Sequence, residues 1–157
     1  MKILDRIYYR VRKRKVEEGL RGLRTISIKE VYGVISRDCW EFGIEYIIIL
    51  KDRSILEITI QSNNKKVFLK FHKALIIREN DVISFIEKLN NLEIKNGVYI
   101  TTGNFSKEAK NILKKEEKVN ITVEDGFHFI KRQVWMNIDF NQKLKPSQLN
   151  FYMYIPS

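Results

Sequence analysis

The chain has 157 residues, 44% hydrophobic and 31% charged, which is enough apolar material for one buried core and too much for a disordered chain. Its 29 Lys and Arg against 19 Asp and Glu leave a net charge of +10, so an acidic partner is expected: nucleic acid, an anionic membrane surface or an acidic protein. One cysteine and two histidines exclude a disulfide framework and a thiolate zinc cluster, and an intracellular, reducing compartment is expected, the cytoplasm ahead of an organelle matrix.

The charge is uneven. Residues 1–24 hold nine Lys or Arg and three Asp or Glu, six of the ten net charges. Within them Leu4, Ile7, Tyr8 and Val11 recur at helical spacing, with Arg6, Arg10, Lys13 and Arg14 over the remaining surface, which predicts a basic helix with one narrow apolar stripe. Gly19 and Gly22 are expected to end it. Arg10, Arg12, Lys13, Arg14 and Lys15 are the candidate phosphate contacts of this segment, which reads equally as a solvated face, a phosphate-binding arm or the anchor of a larger assembly. Tyr8 and Tyr9 are too sparse for base stacking, and the narrow stripe counts against docking on an anionic membrane. An Arg-rich amphipathic start resembles a transit peptide, but Asp5, Glu17 and Glu18 oppose that reading, and Asp5, Arg6, Arg10 and Arg12 break up any secretory signal. The longest apolar run, residues 46–50, is far short of the roughly 20 residues a membrane span requires.

Residues 25–36 are rich in β-branched side chains without clean periodicity, and the composition predicts a strand. Cys39, beside Trp40, is expected to pack as a small hydrophobe. Three β-rich runs follow at 44–50, 54–61 and 66–73. Asn63-Asn64 suits a two-residue hairpin loop, because asparagine tolerates positive φ. That turn places Ser62 opposite Lys65, Glu57 opposite Lys70 and Ile55 opposite His72. Alternation then sends Val67, Leu69 and Phe71 to a core face, and Phe68, Lys70 and His72 to the other.

Val82, Phe85, Ile86 and Leu89 predict a core-facing helix with Asn80 as its cap. A strand is expected at 98–102 and a helix at 106–117, with Ser106 as N-cap and Ala109, Ile112 and Leu113 inward. Another strand at 119–123 ends at Asp125-Gly126, and a helical turn or two follows at 127–132, with His128 on the surface. A hairpin followed by helix, strand, helix and strand is an α/β arrangement around a sheet of mixed strand direction. Residues 134–157 differ in composition: Trp135, Phe140, Phe151, Tyr152 and Tyr154 accompany one acidic residue, and Pro146 and Pro156 deny this tail a long regular element. The division expected is therefore a basic N-terminal helix at 1–24, an α/β domain at 25–133 and an aromatic extension at 134–157. The extension either covers the domain's own sheet edge or docks a protein partner, as the N-terminal helix also could.

The runs GVYITTGNFSKEAKNILKK at 97–115 and ITVEDGFHFI at 121–130 resemble the C-terminal half of the Mrr-like restriction endonuclease catalytic domain. Ile100-Thr101-Thr102, Phe105-Ser106, Glu108-Ala109 and Asp125-Gly126 carry the resemblance. It implies a restriction-endonuclease-like mixed β-sheet flanked by helices, and the PD-(D/E)xK site, in which two acidic residues hold Mg²⁺ and a lysine helps activate water for phosphodiester hydrolysis. It also implies DNA rather than RNA as the nucleic acid, although phosphate chemistry is common to both. Matched through the Asn-Asn-Lys-Lys turn, Glu57 falls at the metal-binding aspartate, Lys70 at the Glu/Gln and His72 at the catalytic lysine, with Glu41 or Glu45 as a further acid. Glu57 can ligate a hard cation. Lys70 offers no ligand oxygen, and His72 lacks a lysine's permanent charge and reach.

Two functions are therefore expected. One is a DNA-binding protein of this superfamily, either an Mg²⁺-dependent endonuclease or one with weakened or lost cleavage. The other is a catalytically inactive nuclease fold serving as a structural or accessory subunit of a nucleoprotein or multiprotein complex. Without the resemblance, Glu57 and Lys70 read as a cross-strand ion pair on a solvated sheet face, and His72 as a partly buried hydrogen-bonded side chain.

Overall fold

The computed structural model describes residues 3–136 and 144–156; Phe140 and the side chains of Asp5, Tyr8, Tyr9 and Trp135 lie outside what is described. The basic segment forms helix α1 (Ile3–Thr25). It does not stop at Gly19 or Gly22. A Cβ on Gly19 would stand 2.7 Å from Ile130 Cγ2, and one on Gly22 2.7 Å from Leu144 Cβ, so these glycines let other chain segments approach the helix closely instead of ending it.

The strand expected at 25–36 is instead helix α2 (Ile28–Glu41). Ser27 Oγ accepts from the Glu30 N–H at 3.1 Å, and Glu30 Oε2 accepts from the Ser27 N–H at 2.8 Å, a reciprocal cap that starts a helix. Ile28, Val31, Ile35 and Cys39 then bury one helical face, and tertiary packing overrides the modest β preference of its branched residues.

Strands β1 (Glu45–Lys51), β2 (Ile55–Ser62) and β3 (Lys65–His72) form the expected meander. Asn63 and Asn64 turn with φ of 48° and 64°, and the register pairs Ser62 with Lys65, Glu57 with Lys70 and Ile55 with His72, as the two-residue loop predicts. A bulge at Ile49 interrupts the β1–β2 register. After β4 (Ile76–Ile77) comes helix α3 (Glu79–Asn91). Its cap is not Asn80, which lies inside the first turn; the Asp81 carboxylate reaches back and accepts from the Arg78 N–H at 2.9 Å.

Then follow β5 (Asn96–Thr101), β6 (Asn104–Phe105), α4 (Lys107–Lys115), β7 (Asn120–Glu124) and α5 (Gly126–Met136). Ser106 caps α4 as expected, accepting from the Ala109 N–H at 3.1 Å. Helix α5 is longer than the one or two turns expected, and Asp125 starts it by accepting from the His128 N–H at 2.8 Å.

The five-stranded sheet runs β1-β2-β3-β5-β7, antiparallel through the meander and parallel from β3 to β7. With helices on both faces it is a mixed sheet of the kind the resemblance implies. Both faces are core. Leu56, Ile58, Ile60, Val67, Leu69 and Phe71 pack under α1, α2 and α5. Phe68 and Tyr99 pack with Val82, Phe85 and Leu89 of α3 and Ala109 of α4.

The C-terminal tail joins the first of these cores. Phe151 meets Phe129 at 5.5 Å and Phe71 at 6.4 Å between ring centres, and Leu149, Tyr154 and Ile155 are buried beside it. Polar clasps hold it there. Gln133 and Asn150 exchange two hydrogen bonds of 2.9 Å, and the fully buried Asp38 accepts from the Phe151 N–H at 2.7 Å and from Arg37. Arg37 donates in turn to the Leu149 and Ser147 carbonyls. Asp38→Ala strands both the Phe151 N–H and the guanidinium, and is expected to cost about 3 kcal/mol, read as a lower denaturant midpoint at unchanged slope.

Candidate functional site

The hairpin brings Glu57, Lys70 and His72 to one sheet face, as the register requires. That face is not solvated. The Glu57 side chain is 2% exposed and Lys70 7%, because α3 and α4 cover this side of β3 and β5. Glu57 Oε1 lies 3.4 Å from Lys70 Nζ, while Oε2 accepts a short hydrogen bond from Lys88 of α3. Lys70 Nζ also sits 5.3 Å above the Tyr99 ring, a cation–π contact in a dry environment. Tyr99 completes the group by hydrogen bonding to His72 Nδ1 at 2.8 Å.

Charge follows from this burial. Desolvation, then the neighbouring Lys70 charge, lowers the His72 pKa below the ordinary imidazole value, against the pull of Asp81, Asp52 and Glu57. The phenol of Tyr99 is pushed up, mainly by burial. A folded-state imidazole pKa below the unfolded one means that the unfolded chain takes up the proton first. Stability is therefore complete above the ordinary value of 6.5 and is lost as pH falls below it. Thermal melts from about pH 8 to about pH 5.5 should show this decline, and His72→Gln should flatten it.

The residues do not fit an Mg²⁺ centre. Both oxygens of Glu57 face lysine ammonium groups, so two cations stand where a hard metal would need ligands. Among the described residues no group of three or more His, Cys, Asp or Glu side chains is placed to hold a metal. Glu41 and Glu45 bring none: Glu41 accepts from the Tyr152 hydroxyl at 2.5 Å, and Glu45 is at the far end of β1 opposite Gln61.

The Thr101-Thr102 pair is buried and ties strand ends together. Thr102 N–H donates to the His72 carbonyl at 3.2 Å, and Thr101 Oγ1 accepts from the Gly103 N–H at 3.2 Å. Cys39 is buried and its thiol is pushed up to about 11 by burial, consistent with packing rather than nucleophilic use. His128 is exposed, as expected, and rests against Asp125 at 2.7 Å.

Arg10, Lys13 and Arg14 are exposed on α1, and Arg12 and Lys15 are half-buried. Arg14 pairs with Glu18 at 3.6 Å. The structure does not bring this basic segment to the Glu57 cluster, since the buried residues of α1 belong to the core on the opposite sheet face.

Sequence reasoning missed two members of the cluster. Lys88 carries no signal of its own, being one charged position beside the apolar stripe of α3. Tyr99 was legible in principle, because the parallel β3–β5 register sets it beside Lys70.

No protein-family model and no curated protein matches the chain. Among the described residues no helix is long and apolar enough to cross a membrane. Among solved structures the chain is similar to the protein of unknown function AF1548, with a TM-score of 0.42 and 11% identity over 61% of this chain and 56% of that one. It is also similar to the MspJI restriction endonuclease in complex with a 27-mer oligonucleotide, with a TM-score of 0.36 and 18% identity over 78% of this chain and 28% of that one. The chain thus spans less than two thirds of either, and likeness this loose does not bear on function.

Proposed function

We propose that the chain is a nucleic-acid-binding protein on a restriction-endonuclease-like frame, DNA being preferred to RNA, that holds phosphates without cleaving them. One observation carries the loss of cleavage: the Glu57 carboxylate is held by Lys70 and Lys88. What the reading assigns to nucleic acid is the basic segment of α1, from which Arg10, Arg12, Lys13, Arg14 and Lys15 contact phosphates.

Plasmid and duplex oligonucleotides incubated with the protein and Mg²⁺ or Mn²⁺ should remain intact, and cutting by wild type that Glu57→Ala abolishes would refute the reading. Five phosphate contacts imply that affinity falls about 500-fold between roughly 50 and 200 mM salt. Replacing the five cations by glutamine should remove most of that dependence, and a duplex RNA competitor measures the preference for DNA.

A second reading, the accessory subunit of a larger complex, has its own support. Ile3 and Leu4 are each 77% exposed, Ile7 54% and Val11 51%, an apolar stripe that phosphate binding does not use. Ile7→Ser should then release a protein that otherwise co-purifies with the native chain, while leaving nucleic-acid affinity unchanged.

A further inference from the structure

Helix α1 falls into two halves. From Val16 onward it packs on the body of the chain, where Val16, Leu20 and Leu23 join the core shared with α5. From Ile3 to Lys15 no described side chain is buried, so about 20 Å of helix stands on the surface. The apolar residues of this outer half do not continue the packed seam. At about 100° per residue, Leu4, Ile7 and Val11 form one column about 60° wide, about 150° round the helix from Val16, Leu20 and Leu23. The body that covers the inner half therefore lies on the far side of the helix from this column, and Leu4, Ile7 and Val11 stay 77%, 54% and 51% exposed.

The spacing of the column defines the shape of what covers it. Residues 4, 7 and 11 are three and then four positions apart, the repeat by which two helices interlock along a narrow seam; a membrane surface takes a broader apolar face. The margins define the charge. Arg10 and Arg14 border the column on one side and Lys15 on the other, and Arg14 is 82% exposed, with Glu18 beside it at 3.6 Å. A second copy of the chain would set these cations against their equivalents across the seam, which opposes self-pairing, whereas glutamates flanking the seam of a partner helix would complement them. We infer that the outer half of α1 pairs with an acidic amphipathic helix of another protein, whose apolar residues pack on Leu4, Ile7 and Val11 and whose carboxylates meet Arg10, Arg14 and Lys15. The inference rests on the accessory-subunit reading and gives the partner its chemical class.

Three fluorescently labelled peptides of about three heptads each are titrated with the intact chain and followed by anisotropy. The first has leucine at the seam positions and glutamate beside them, the second has the same composition in scrambled order, and the third carries lysine in place of glutamate. Saturable binding of the first is expected, with the other two weaker by about tenfold or more, and Ile7→Ser should weaken the first about tenfold by removing one aliphatic contact. Ile7 is not part of the core, so the variant should keep the wild-type melting temperature. Arg10→Glu combined with Arg14→Glu is the second variant, and should lose the preference for glutamate over lysine. Absence of binding to the first peptide overturns the inference, as does equal binding of the scrambled peptide, or equal binding by wild type and Ile7→Ser. So does a dimer of the chain that Ile7→Ser dissociates, or displacement of the peptide by vesicles of phosphatidylserine and phosphatidylcholine, since the stripe then belongs to a second copy or to lipid. If the peptides fail while Ile7→Ser still releases a co-purifying protein, the accessory-subunit reading stands and the acidic helix falls; if nothing is released, both fall.

Discussion

Replacing Glu57 by alanine is expected to destabilise the fold by about 3–5 kcal/mol, a fall of roughly 10 °C in Tm for a chain of this size. The cause is Lys70. Its side chain is 7% exposed and its carboxylate partner is Glu57, so the substitution leaves an ammonium group over the Tyr99 ring in a dry site without that carboxylate. Lys88 is 41% exposed and can turn to water, so Lys88→Ala should cost about 1 kcal/mol or less.

The opposite sign is expected of a carboxylate kept for a metal, whose removal relieves repulsion among ligands and stabilises the metal-free chain. The same melts repeated with about 10 mM Mg²⁺ should leave the wild-type Tm unchanged, because an ion that binds only the folded state must raise it. Pairing Glu57→Leu with Lys70→Met should recover most of the loss, since apolar replacement of a whole buried ion pair is often neutral or better. A double variant as unstable as Glu57→Ala would show that the site needs its charges for packing beyond the pair.

Gly103→Ala is expected to cost about 3 kcal/mol or more through overpacking. A Cβ at this position would stand 2.1 Å from the carbonyl oxygens of both Ala74 and Leu75. These are backbone atoms and cannot rotate away. They are also held in place: Asn104 N–H donates to the Leu75 carbonyl at 2.9 Å, and Gly126 N–H donates to the Gly103 carbonyl at 2.9 Å. Gly103 thus lets the chain leaving β5 pass under the segment leaving β3, at the end of the sheet where His72 and Thr101 stand side by side. The substitution should lower the denaturant midpoint and widen amide exchange at residues 72–76 and 101–105. A near-neutral result would mean that this crossing can open without loss. Gly33, beside which a Cβ meets nothing within 4 Å, is the matched control.

The hairpin was legible because its determinants are local. Two asparagines at positive φ set the loop, and a two-residue loop leaves one register, from which the placement of Glu57, Lys70 and His72 on one face follows. Helix α4 was legible for the same reason, through Ser106 and Ala109. Residues 25–36 misled because β-branched composition was weighed above the Ser27–Glu30 cap. Gly19 and Gly22 misled because a glycine that stops a helix and one that admits a neighbouring segment look alike until that neighbour is known.

The sequence by itself determined the mixed α/β pattern, the hairpin register with Glu57, Lys70 and His72 on one face, and the uneven charge. These rest on periodicity, turn chemistry and residue identity, all of which act within a few positions along the chain. Tertiary structure alone decided that the face carrying Glu57 is buried, that Lys88 from α3 takes its second oxygen, and that Leu149, Phe151, Tyr154 and Ile155 of the tail belong to the chain's own core. Burial depends on what packs above a strand, and the layers above β2 and β3 come from residues 79–115. No local pattern specifies which charge a distant helix will set against a carboxylate.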